Sequence, residues 1–350
     1  MTSAPSTPPN PPPLNAPSAR IRRPEDLLAA VPYLLGFHPA DSAVVLGIAG
    51  GQLTFAARAD LPAPGEAPDA LADHLAAVLA RQRVRAAVLV GYGPAHRVEP
   101  ALTTLRAALS IDVYDVLRVT EGRYWSYTCA NPECCDPAGT PFDVSTSPVA
   151  AAATYAGAVA LPDREALVAR IAPVGGAARE SMRRATARAR QRLAGDPSAL
   201  LPTGEAAVRA AIERYRSGGA LTDDEVAELT VLLRSVPVRD RAWREITEPE
   251  PHVRLWADVA RRAEPDLAAP PASLLAFAAW RSGDGALAAV AVERALACDP
   301  GYSLARLLAD ILRAGTPPSI LDGWPDLPPD PPPPAAVPRR PRRSVHTRTP

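Results

Sequence analysis

The stretch Arg22–Gly51, RRPEDLLAAVPYLLGFHPADSAVVLGIAGG, decides how the rest of this chain is read. Pro24 followed by Glu25 and Asp26 marks a helix start, because proline suits the first helical position and carboxylates suit the positive end of the helix dipole. The helix stops at Gly36. Glycine adopts the left-handed C-cap conformation without steric cost, and Pro39 disfavours helical geometry at His38. Val44, Val45, Leu46 and Ile48 then read as a buried strand, closed by Gly50-Gly51, a tight hairpin signal.

Working outward, strands and helices alternate as far as residue 129. Strand 43–48 is followed across the glycine turn by strand 52–59, and Asp60-Leu61-Pro62 breaks the ladder. Asp69–Gln82 is amphipathic, with Leu71, Leu75, Val78 and Leu79 on one face. Ala86–Val90 is a short all-apolar strand running into Gly91-Tyr92-Gly93, and a helix follows over Val98–Leu109. Val113–Val119 and Arg123–Thr128 form a second hairpin around Glu121-Gly122. This alternation implies a mixed, mostly covered sheet flanked by helices, with every strand before about residue 135.

From about residue 148 no strand pattern survives. Helices are expected at 149–160, 163–171, 177–194, 205–217, 223–235, 238–247, 252–263, 272–282, 285–297 and 302–314. Thr222 with Glu225 is a capping box. The fold class is therefore an α/β N-terminal domain followed by an all-α domain, joined through the Pro/Gly/Asp/Ser-rich loop between Cys135 and Val149. The expected division is a disordered Pro-rich tail at 1–19, the α/β domain at 20–145, the helical domain at 146–316 and a disordered Pro/Arg-rich tail at 317–350. Runs such as Pro11–Pro13 and Pro331–Pro334 favour extended polyproline conformations over helix or sheet.

On these residues, segment 22–51 resembles the start of the domain of unknown function 4192 family of high-GC bacteria. The resemblance implies a family and brings no activity with it; the family also shows cysteines where this chain has Cys129, Cys134 and Cys135. A second, partial resemblance lies near the C-terminus. Ala288, Val292, Ala295 and Pro300, with Leu275 and Ala276 before them, resemble one tetratricopeptide-like helical hairpin. Ala272 and Ala279 stand where that repeat carries its first aromatic residues, and one unit does not make an array.

Length and composition narrow the function. A chain of 350 residues is long for a single core and favours two domains. All 38 basic residues are arginine, the mark of GC-rich coding, and they balance 38 acidic residues to a net charge of zero. Overall attraction to nucleic acid or to a membrane surface is therefore not expected. Met1–Ala19 has no apolar segment of the kind a signal peptide needs. The longest apolar run, Val149–Leu161, falls short of the roughly 20 residues that span a bilayer. A cytoplasmic protein is the expectation.

Few residues carry chemistry. His38, Asp41 and Ser42 place an imidazole, a carboxylate and a hydroxyl within one turn, and could support acid–base work if they converged. The competing reading makes them structural: Gly36 caps, Pro39 stiffens, Asp41 or Ser42 bonds local backbone, and the His38 ring packs beside the sheet. Gly91, Tyr92 and Gly93 end a central strand, where open α/β sheets bind ligands, although a dinucleotide fingerprint is absent. Arg58 and Asp60, at the end of another strand, are a further candidate ligand-binding pair or a plain ion pair. Cys129, Cys134 and Cys135 lie within seven residues and can be inert thiols, a redox or disulfide pair, or an incomplete metal set. With C-x4-C-C and no second knuckle, no metal is expected. Arg179, Arg183, Arg184, Arg188, Arg190 and Arg192 are either a phosphate-binding stripe or a solvated face paired with acids such as Asp223, Asp224 and Glu225.

No P-loop, HExxH, catalytic triad or dinucleotide fingerprint is present, and no cofactor is implied. The leading expectation is a non-enzymatic binding or scaffolding protein with an unknown protein or small-molecule partner. The alternatives are an enzyme of unknown reaction, with a site at the strand ends near His38, Asp41, Ser42 and Gly91, and a weak nucleic-acid binder through helix 179–192.

Overall fold

The computed structural model describes residues 23–131, 133, 135–194 and 200–322. The first helix, α1 (Pro24–Leu35), begins with proline at its first turn and ends on Gly36 at φ 77°, the left-handed cap that glycine supplies. Strands β1 (Ser42–Ala49) and β2 (Gln52–Asp60) follow. Gly50 and Gly51 both take positive φ, 58° and 74°, the primed turn that matches strand twist. Next come α2 (Asp69–Ala80), β3 (Ala86–Tyr92), α3 (Ala95–Ala108), β4 (Asp112–Thr120) and β5 (Arg123–Ser126).

The strands form one mixed sheet in the order β2-β1-β3-β4-β5-β6, where β6 is Thr140–Pro141. Only β3 and β4 are parallel; β1 runs antiparallel to both of its neighbours. Strand β6 lies beyond the expected limit of residue 135. It is a two-residue pairing with Arg123 and Tyr124, too short and too polar to leave a hydrophobic pattern in the sequence.

Alternation across the pleat separates two cores. Val45, Leu89 and Val116 face α2 and α3, packing on Leu71, Leu75, Val98, Leu102 and Leu105. Val44, Leu46, Val90 and Leu117 face α1, packing on Leu28 and Val31. That second core continues without a break into the helical half, through Leu167 and Met182 to Trp256 and Phe277.

The helical half comprises α4 (Pro148–Tyr155), α5 (Arg164–Arg170), α6 (Gly176–Arg192), α7 (Leu200–Arg216), α8 (Asp223–Leu232), α9 (Val236–Arg244), α10 (Pro249–Arg262), α11 (Ala269–Arg281), α12 (Gly285–Cys298) and α13 (Ser303–Arg313). Beyond residue 150 the described residues add only an isolated bridge, Leu161 to Phe37. Thr222 and Glu225 form the reciprocal capping box, with Thr222 N–H donating to Glu225 Oε2 at 2.8 Å and Glu225 N–H to Thr222 Oγ1 at 3.3 Å. The α11–α12 hairpin turns over Ser282–Asp284. After α13 the chain returns to the α/β half: Arg81 Nη1 donates to Ala314 O at 2.8 Å and Gln82 Nε2 to Gly315 O at 2.6 Å. Pro318–Leu321 then forms a short 3₁₀ turn inside the expected C-terminal tail. Residues 1–22 and 323–350, which hold the rest of both expected tails, lie outside the described residues.

Candidate functional site

Because β1 is antiparallel to β2 and β3, the start of β1 meets the ends of both neighbours. Ser42 lies opposite Asp60 on one side and Tyr92 on the other. Cross-strand partners share a face of the sheet. The residues singled out at three separated points in the sequence, Asp41-Ser42, Arg58-Asp60 and Gly91-Tyr92-Gly93, thus gather at one end of the sheet.

Their polar groups are spent largely on one another. Ser42 is fully buried; its hydroxyl donates to Ala40 O at 2.5 Å and accepts from Arg58 Nε at 2.8 Å. Arg58 Nη2 pairs with Asp60 Oδ1 at 2.5 Å, and its guanidinium lies 5.8 Å from the centre of the Phe37 ring. Asp41 sits at φ 45°, a left-handed conformation that aspartate tolerates better than most residues. Its carboxylate receives Arg97 Nη1 at 2.5 Å, while Arg97 Nη2 donates to Pro62 O at 3.2 Å. Arg97 enters the cluster from α3. Nothing within the two local sequences pairs it with Asp41, 56 positions away.

His38 departs from the expected arrangement. Its ring is exposed and makes no hydrogen bond among the described residues. The backbone holds the turn instead: His38 N–H donates to Leu161 O at 2.9 Å and Leu161 N–H to Gly36 O at 2.8 Å. The structural role belongs to the main chain, and the ring is not packed beside the sheet.

A nucleophilic hydroxyl needs a base within hydrogen-bond reach. Ser42 has a carbonyl and a guanidinium there, neither of which accepts its proton. Tyr92 is buried with no hydrogen-bond partner at its hydroxyl, and burial raises its pKa far above the ordinary tyrosine value. Its phenol therefore stays protonated. Gly91 and Gly93 serve packing and backbone shape. A Cβ at Gly91 would overlap Val98 Cγ1 and crowd Leu102 Cδ1 at 3.1 Å, and Gly93 takes φ 142°. The close approach of α3 to β3 accounts for Gly91 without a ligand.

A concavity lies elsewhere, on β5 and the loop that follows it. A pocket of about 220 Å³ is lined by Tyr124, Trp125, Ser126, Cys129, Cys135 and Thr140, among others. Tyr124 donates to Glu25 Oε1 at 2.9 Å; burial, then that hydrogen bond and the carboxylate's charge, push its pKa up to about 12. Trp125 Nε1 donates to Pro137 O at 3.1 Å, and Arg118 stacks on the Trp125 ring at 3.5 Å. Cys134 lies outside the described residues. No group of three or more His, Cys, Asp or Glu side chains among the described residues is placed to hold a metal ion.

The arginines of α6 have acidic partners. Arg188 meets Asp224 at 2.6 Å, Arg190 meets Asp266 at 2.6 Å, and Arg192 meets Glu228 at 3.3 Å. Arg179 reaches Glu264, and Arg183 and Arg184 share Glu180. Among the described residues no helix is long and apolar enough to cross a membrane.

Neither curated proteins nor solved structures yield a match to this chain. A family match does exist: Domain of unknown function (DUF4192) covers residues 24–319, from the first turn of α1 to the 3₁₀ turn after α13. With both halves inside that single match, the chain belongs to the domain of unknown function 4192 family.

Proposed function

We propose that this protein is a non-enzymatic binding or scaffolding protein of the cytoplasm, built from an α/β domain at 20–145 fixed to a helical domain at 146–316. One observation carries the reading. Ser42, the only hydroxyl of the leading motif, is buried between Ala40 O and Arg58 Nε with no base beside it. The charges around it are neutralised in the closed pairs Arg58–Asp60 and Arg97–Asp41. Such a cluster stiffens the junction of three strands and leaves recognition to the surfaces around it. The α11–α12 hairpin is the tetratricopeptide-like element of the helical domain, a kind of surface that serves protein partners. Affinity capture of the tagged chain from a high-GC bacterial host tests this, with mass spectrometry of co-purified proteins and small molecules. A partner retained by both wild type and Ser42→Ala supports the proposal; loss with Ser42→Ala in a folded protein speaks for a working site.

The enzyme reading, with a small-molecule site at the strand ends, is favoured by Asp41 at φ 45° and by the unpartnered Tyr92 hydroxyl. Backbone strain and orphaned polar groups gather at working sites. Gly93, Arg58 and Asp60 would then contact the ligand. For nucleic acid, the pairing of the α6 arginines with carboxylates weighs against a phosphate stripe.

A further inference from the structure

The two edges of the sheet are built differently. One is β6, two residues long and ending in Pro141. The other is β2, nine residues long, with β1 on one side and no strand on the other. Among the described residues, no backbone group outside β1 hydrogen-bonds to β2. An unpaired edge is a template for another strand, and chains that stay apart blunt theirs with proline, lysine or a short strand. β6 carries two of those devices. β2 carries none: it contains no proline and no lysine, and its only charges, Arg58 and Asp60, neutralise each other at 2.5 Å.

The apolar side chains of β2 point the same way. β3 is buried along its whole length, and β1 along all but its last two residues. On β2, Phe55, Ala57 and Ala59 pack into the core under α2, and Leu53 and Ala56 into the core under α1. All five are only half-buried. Both cores thus run out to this edge without being closed over. We propose that β2 pairs antiparallel with β2 of a second copy, about a two-fold axis through Ala57, joining two six-stranded sheets into one. A strand that fits this edge carries apolar side chains on both faces and sets no like charge opposite Arg58. β2 itself meets both conditions.

The register follows from the strand. Gly47 lies opposite Phe55 and Ile48 opposite Leu53, so Thr54 is a bulge and the regular part of β2 is 55–60. Directly opposed residues share a face of the sheet, so a two-fold pairing must centre on one residue. Centring on Ala57 sets each Phe55 against an Ala59, a large side chain against a small one, with Ala57 against Ala57 between them. On the other face each Arg58 meets Ala56 and keeps its own Asp60. Centring on Arg58 would oppose two guanidinium groups, and centring on Ala56 would bring the bulge into the ladder. The interface is closed, because both copies use the same patch and no third copy can add to it. The inference does not depend on whether the strand-end cluster is a working site.

Analytical ultracentrifugation of the full chain should find a dimer, twice the 36.8 kDa chain mass. Ala57→Lys opposes two ammonium groups at the axis, and should sediment as a monomer with an unchanged circular dichroism spectrum. Ala57→Cys should stay dimeric and cross-link to itself under mild oxidation, since cysteines directly opposed across an antiparallel pair lie within disulfide reach. Ala59→Cys, which faces Phe55, should not. Trypsin isolates either link, because the peptides on both sides of Arg58 carry no native cysteine. A monomeric wild-type chain overturns the proposal, and is the result expected if the strand of a different protein occupies this edge. A folded Ala57→Lys dimer also overturns it, as does a dimeric Ala57→Cys that stays unlinked or an Ala59→Cys that links to itself. If Ala57→Lys fails to fold, the two cysteine variants decide alone.

Discussion

Arg58 donates from Nε to the hydroxyl of Ser42 at 2.8 Å, joining the end of β2 to the start of β1. That bond fixes what Ser42 can do. A hydroxyl accepting from a permanently charged guanidinium, and donating to a carbonyl, is held as a structural link. The same guanidinium reaches Asp60 and lies against Phe37, so it gathers a strand end, a carboxylate and the turn after α1 around one cation.

Gly91→Ala should cost about 1–3 kcal/mol, the usual penalty of forcing a methyl into a packed interface. The added Cβ meets Val98 on α3. Val98→Ala in the same chain should recover part of the loss, so the double variant unfolds later than the summed single effects require. Denaturant melts of the four proteins measure this. Strict additivity would mean that Gly91 is needed for something other than the approach of α3.

Asp41→Ala should lose about 1–2 kcal/mol, because alanine has no local compensation for left-handed geometry. Asp41→Gly should lose less. Glycine accepts φ 45°, and the exposed pair with Arg97 is worth at most about 1 kcal/mol. Equal losses in the two variants, read from chemical denaturation, would assign the effect to the ion pair instead.

Acid sensitivity should trace to His252 on α10. Burial first, then the charge of Arg216, lower its pKa from 6.5 to about 4, against a weaker opposite pull from the Glu245 backbone. Between those values the unfolded chain binds the extra proton, so stability rises with pH through the window and is complete above about 6.5. Each pH unit within it is worth about 1.4 kcal/mol, which makes the total about 3 kcal/mol on going down to pH 4. His252→Gln should flatten this dependence. An unchanged slope between pH 4 and 6.5 in the variant would place the acid sensitivity elsewhere.

Elemental analysis of protein purified under reducing conditions should find well under one zinc or iron per chain. Cys129 and Cys135 line a pocket that brings no imidazole to them. Near-unit occupancy lost in Cys134→Ser would contradict this.

The elements were legible where local chemistry set them, as at Pro24, Gly36, Gly50-Gly51 and the Thr222 capping box. Prolines elsewhere misled the boundaries. Helices α10 and α11 start at Pro249 and Ala269, three residues before the expected positions, because proline in a first turn extends a helix backward rather than breaking it. The grouping of Asp41-Ser42 with Gly91 at the strand ends is one of the alternatives the sequence offers; that Arg58-Asp60 joins them depends on β1 lying antiparallel between β2 and β3. Arg97 was missed for the same reason: its partner lies across the sheet, in another segment. Phe37 and Pro39 on either side suggest a His38 ring against the sheet, but only those neighbours are buried and His38 faces out. With the ring idle, His38→Ala should shift stability by less than about 0.5 kcal/mol.

Treating the folded chain with a serine-reactive fluorophosphonate tests whether the strand-end cluster is a structural junction. Mass analysis of the peptide carrying Ser42 reads the result. A buried hydroxyl without a base should stay unmodified, so wild type and Ser42→Ala should give the same labelling. Stoichiometric modification of Ser42 in the native protein, abolished by denaturation or by Ser42→Ala, would show an activated nucleophile and contradict the account.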